Sequence, residues 1–264
     1  MVEPLRLMLQ EQCMGLHTSR QLNLMVGINK SQQTRAYPNF SYLEEACFGI
    51  KPDISQIAEL IEKSSLPQHE KNSWMLVHSI RAKWPGFTPN LDLLFISVWS
   101  DIRHPLAKHK KEKWSFPFSG KMKDTIIESK EFEILPPLSP ENSFLSMLSA
   151  SSLWRQANPN IQIFFFNYPV LPPLPESSDK EEFSQTVEEL DIRDKKIEEM
   201  SKQICPVFGI NPIIIAKDKF DYRDNSMGAL KEKKERYHFH LGTYEEAAKQ
   251  VFKKLEPHLT RKVT

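Results

Sequence analysis

His238 and His240 stand one residue apart at the end of an apolar run, followed by Gly242, Tyr244 and a helical pattern of apolar residues to Leu255. An imidazole at the end of a strand can act as a general base, because its ordinary pKa lies near neutrality. Alternate strand residues share a face, so both rings could also reach one metal ion. No third ligand lies near them in sequence, so a base is the better reading of His240, and neither metal nor cofactor is expected. A base needs a nucleophile and hydrogen-bond donors for the developing oxyanion. Ser31, Asn29, Gly49, Ser100, Asp101 and Tyr168 all follow apolar segments, where such groups would sit. For Asp101 the commoner role is to cap a following turn. For Gly49 a backbone requirement is the firmer reading.

These residues need elements to hold them. Two early apolar segments compete for the first strand, Leu5 to Leu9 and Leu22 to Gly27. Residues 38–43 read as a short extended piece. Asp53 is placed to cap a helix carrying Ile54, Ile57, Leu60 and Ile61 on one face. A second helix is expected over 71–83, from the spacing of Trp74, Val77 and Ile80. Leu91 to Trp99 and Ile161 to Phe166 are nearly continuous apolar runs, as strands covered on both faces should be. Ser139-Pro140-Glu141 supplies a cap, a first-turn proline and an acid at a helix start. Helical periodicity returns over 181–204, and a short strand is expected over 212–216. Strands alternating with helices imply an α/β domain with three layers, α/β/α, around a mostly parallel central sheet. In such sheets ligands sit beyond the carboxyl ends of the strands.

Length and composition fit one such domain spanning 1–264, with a loop-rich insertion at about 103–138. The net charge of +1 gives no general attraction to nucleic acid or anionic membrane. Only 8 glycines occur, and none cluster into a phosphate cradle. Three dispersed cysteines make no disulfide framework, and no apolar run approaches a membrane span or a signal peptide. An intracellular, cytoplasmic chain is the expectation.

The ordering resembles the SGNH (GDSL-type) hydrolases over most of the chain. Met25-Val26-Gly27-Ile28-Asn29 looks like the family's first block, with Asn29 where the nucleophilic serine stands. Phe48-Gly49-Ile50 looks like the second, whose glycine N–H joins the oxyanion hole. Val98-Trp99-Ser100-Asp101 is similar to the third, with Ser100 in place of the asparagine donor. The stretch from His240 to Val251 resembles the last block, with Tyr237 where the acid belongs. A second alignment takes Leu7-Met8-Leu9 as the first strand and Gln10-Glu11-Gln12 as its block, with Cys13 nearby. The resemblance implies this fold with its esterase chemistry lost or rebuilt. Asparagine forms no ordinary acyl-enzyme, and tyrosine does not orient an imidazole as a carboxylate does. The implied function is a catalytically degenerate domain that binds or scaffolds a protein or RNA partner. The alternative is an active esterase or deacetylase, with His240 as base and Ser31 brought in by a shifted register.

For RNA, the candidate surface is the basic stretch containing Lys108, Lys110 and Lys111, interleaved with Trp114, Phe116 and Phe118. Such a pattern can touch phosphates and stack bases, although a solvated loop is the commoner reading.

Overall fold

The computed structural model describes residues 4–10, 13–34, 37–84, 86–167, 187–216 and 241–259. Tyr168, Tyr237, His238 and His240 lie outside them.

The first apolar segment is the first strand, β1 (Leu5–Gln10). The second is not a strand. Leu22 ends helix α1 (Cys13–Leu22), and a turn leads into β2 (Ile28–Thr34). The reason is visible in burial: Leu22 is in the core, but Leu24 and Met25 are exposed. Residues 38–43 are also not extended. Helix α2 (Asn39–Phe48) begins there, directly after Pro38.

Helices α3 (Ile54–Lys63) and α4 (Gln68–Ala82) follow, the first capped by Asp53, which accepts from the N–H groups of Ser55 and Gln56. The apolar runs form β3 (Leu93–Ile96) and β7 (Gln162–Phe166). Between them lie α5 (Trp99–Arg103), β4 (Leu106–His109), β5 (Ser115–Pro117), α6 (Lys123–Ser129), β6 (Phe132–Leu135) and α7 (Pro140–Ala157). Ser139 caps α7 through the N–H of Asn142, with Pro140 in the first turn. Helix α8 (Val187–Ile204), β8 (Ile210–Ile213) and α9 (Leu241–Leu259) complete the described chain. Strand β8 starts two residues before the predicted segment.

Five strands form one parallel sheet in the order β2-β1-β3-β7-β8. Alternation along the strands builds two cores. Leu5, Leu7, Leu9, Leu93, Phe95, Phe164 and Phe166 face α1 and α9, while Met8, Leu94, Ile96, Ile163 and Phe165 face α7 and α8. The result is the expected three-layer α/β arrangement. Each fully buried Leu or Phe contributes about 1.5–3 kcal/mol.

The segment at 103–138 is an ordered unit, not a loop. Strands β4, β5 and β6 form an antiparallel sheet in the order β5-β4-β6. Trp114, Phe116 and Phe118 alternate and share one face, so all three enter a third core with Ile57, Leu60 and Ile61 of α3. The alternation that suggested a stacking platform is a strand's buried face.

Candidate functional site

The sheet changes direction between β1 and β3: β2 lies outside β1 on one side, and β7 and β8 lie beyond β3 on the other. In open parallel sheets, the crevice beyond the carboxyl ends at this point is the usual ligand site. Among the described residues, a chain of buried polar side chains joined by hydrogen bonds stands there. Gln10 ends β1; its Oε1 accepts from Trp154 Nε1 of α7 at 2.9 Å, and its Nε2 donates to Asn39 Oδ1 at 2.8 Å. Asn39 Nδ2 donates to the Ser97 carbonyl at 2.9 Å and to Asp101 Oδ2 at 3.0 Å. Asp101 Oδ1 accepts from the Phe40 N–H at 3.4 Å. Gln10, Asn39 and Asp101 are 3%, 0% and 2% exposed.

Asp101 is expected to cap the turn that follows it; instead its carboxyl group meets the start of α2, far away in sequence. The first N–H groups of α2 have no partner within the helix and carry a partial positive charge, which makes them an anion site. Asp101, on α5, brings its carboxyl group to that end. Burial pushes its pKa up to about 8, against the lowering effect of the N–H groups of Asn39, Phe40 and Asp101 itself and of the Asn39 side chain. The group is therefore mostly a neutral acid at pH 7. Asn39→Ala would strand the Gln10 amide, the Ser97 carbonyl and the Asp101 carboxyl at once. A loss of about 3 kcal/mol in urea unfolding at pH 7 is expected. A change under about 0.5 kcal/mol, the size of an ordinary surface substitution, would show that the chain of hydrogen bonds contributes nothing.

Beside this network, α8 lies across the rim. Arg103 Nη2 meets Asp194 Oδ2 at 2.6 Å, with both side chains buried, and the guanidinium lies 5.2 Å from the Trp99 ring. Arg193 Nη1 donates to the carbonyls of Ile102 and Leu138 at 3.1 Å each. Asn167, just past β7, donates to the Asp194 carbonyl at 3.4 Å. His104 packs its ring on Trp99 and Trp74.

Of the predicted site residues that are described, Ser100 and Asp101 are at this rim and Asn29, Ser31 and Gly49 are not. Asn29 pairs with Arg6 at the start of β1, so it sits on the opposite, amino rim. Ser31 lies inside edge strand β2, at the register shift between Lys30 and Gln32 and short of the strand's carboxyl end at Thr34. Gly49 is exposed and left-handed (φ 64°), and its N–H closes α2 by donating to Glu45 O. It is a helix stop, not an oxyanion donor. Ser100 and Asp101 are at the rim, buried within α5. His240 and Tyr168 are outside the described residues.

In the predicted nucleic-acid surface the aromatic residues are buried, while Lys110 is exposed and Lys108 is partly exposed. Trp114 is buried, stacks on His109 at 5.2 Å and donates its Nε1 to Glu112. Lys108 pairs with Glu44 at 2.6 Å, and Lys110 donates to the Lys130 carbonyl. Lys111 remains exposed. Gln10 stands in the block of the second alignment, at the end of what is indeed the first strand, but its partners Asn39 and Trp154 have no place in the sequence reading of the site. Their local signals are slight: a glutamine closing an apolar strand, and a Pro-Asn pair opening a helix.

Among the described residues, no group of three or more His, Cys, Asp or Glu is placed to hold a metal ion, and no helix is long and apolar enough to cross a membrane. No family model matches the chain, and no curated protein matches it in sequence. Among solved structures it is similar to Est24, a carbohydrate acetylesterase from Sinorhizobium meliloti. The TM-score is 0.47 at 9% identity, over 96% of this chain and 99% of that one. The likeness is one of overall arrangement.

Proposed function

We propose that this chain is a catalytically degenerate, SGNH-hydrolase-like domain that acts as a binding or scaffold module rather than as an esterase. The observation that supports this is the hydrogen-bonded group at the switch point. Acyl transfer needs a nucleophile beside a base and free donors aimed at an oxyanion. Among the described residues at this rim, Gln10 at the end of β1, Asn39 on α2 and Asp101 on α5 instead supply two amides and a carboxyl that are hydrogen-bonded to one another and buried. A protein or small-molecule partner fits the reading better than RNA, because the aromatic residues of the basic stretch are core.

Hydrolysis of p-nitrophenyl acetate by the full chain tests this directly. The rate is expected to equal the buffer rate and to be the same for His240→Ala. Turnover that disappears with His240→Ala would overturn the proposal in favour of an active hydrolase.

A further inference from the structure

At the far end of α2 from the rim, a cleft of about 430 Å³ opens between α2, α3 and α4. That volume is within the range of small-molecule sites. Its aromatic wall is preformed. Trp84 packs edge-on against Tyr42 at 4.4 Å and against Phe87 at 5.3 Å, and Phe87 rests on Trp154 at 4.9 Å. Gly86, between the two wall residues, takes a left-handed turn (φ 87°), and a methyl group added there would meet nothing within 4 Å, so the cleft is open at that point.

The floor is Arg81. Its side chain is 2% exposed, its Nε donates to Glu45 at 3.0 Å, and its Nη1 donates to Tyr37 and to the Ser115 carbonyl. Nη2 makes no hydrogen bond to a described residue. Trp84 Nε1 is buried without a hydrogen-bond partner among the described residues, so it reports on the wall and does not meet a ligand. The Nη2 group is a donor only, so what would satisfy it is an acceptor. Lys51 stands at the mouth, and Glu45, the one acid on the lining, is already paired with Arg81. The lining charges therefore sum to one positive.

We propose that this cleft binds a small monocarboxylate with an aromatic or branched apolar body. The carboxylate meets Arg81 and Lys51, and the body lies on Trp84 and Phe87. The site deepens the binding reading given above and rests on it for its biological sense, but its geometry is separate from the rim, so the two can fail independently.

The test is a titration of the isotope-labelled full chain with phenylacetate, and with phenylacetamide as the neutral control, followed by NMR. Saturable shifts of the Trp84 indole N–H (assigned with Trp84→Phe) and the Gly86 amide are expected, half-complete at about 1 mM or below. Ala46→Trp, at an exposed position on the lining, should fill the cleft and abolish them. Lys51→Glu should weaken phenylacetate at least about fivefold, since charge reversal at the mouth acts on the anion alone. The absence of saturation, an equal response to the amide, or binding unchanged by Lys51→Glu would each overturn the proposal. Failed binding without ester hydrolysis leaves the non-hydrolytic reading standing, whereas hydrolysis removes that reading whatever the cleft does.

Discussion

Arg103→Met is expected to destabilise the protein by about 3–5 kcal/mol, and Asp194→Leu by a similar amount. Each substitution takes from the other charge its partner at 2.6 Å, in a place where both side chains are at most 4% exposed. The two ions attract strongly at 2.6 Å, but removing them from water is costly, so the pair is not expected to be worth much more than an apolar contact of equal volume. The double variant Arg103→Met/Asp194→Leu should therefore recover most of the loss. Urea midpoints for the four proteins give the coupling. Single variants within about 0.5 kcal/mol of the parent, or a double variant as unstable as the sum of the singles, would mean that the ion pair does not hold α8 on the rim.

The second large effect is on acid stability. His78 and His104 both have pKa values lowered to about 3, chiefly by burial and secondly by the nearby Arg81 and Arg103 guanidinium groups. Once the chain unfolds, each returns to about 6.5. A lowered folded-state pKa gives stability that is complete above the unfolded value and is lost as pH falls towards the folded one. These two groups thus remove stability between about pH 6.5 and 3. Each contributes about 1.4 kcal/mol per pH unit.

Asp101 acts in the opposite sense. Its pKa is raised by burial to about 8, so its contribution is complete below the ordinary carboxylate pKa and fades as pH rises to about 8. Glu45, raised mainly by burial, pulls in the same direction. Two histidines outweigh Asp101 on the acid side, with Glu45 subtracting over the lower part of that range, and above about pH 6.5 only the acids remain. Stability should peak near pH 6.5. His78→Gln or His104→Gln should each flatten the acid limb by about one proton's slope, and Asp101→Asn should flatten the fall from pH 6.5 to 8. An acid limb of unchanged steepness in both histidine variants would refute the assignment.

Much of the frame was legible because its signals are local. Asp53 and Ser139 cap helices a few residues away, and the runs Leu91 to Trp99 and Ile161 to Phe166 contain the central strands β3 and β7, although the first strand stops at Ile96 and Trp99 opens α5. What was illegible depends on partners distant in sequence. Helix α2 lacks a side-chain cap of its own at Pro38, because its cap is Asp101. Leu24 and Met25 are apolar but sit in an exposed turn, so they imitate a strand. Trp114 and Phe116 looked like a platform beside lysines because nothing local shows that α3 covers them. The candidate site was only partly legible for the same reason: Asp101 and Gln10 could be named, but they join Asn39 and Trp154 only when one strand and three helices meet.

The cap on α2 has a kinetic corollary. The Phe40 amide is held by a carboxyl group 61 residues further along the chain. Fraying of that helix start and release of the segment after β3 are then one event. Deuterium uptake at Phe40 should track uptake in the first turn of α5, not uptake in the remainder of α2.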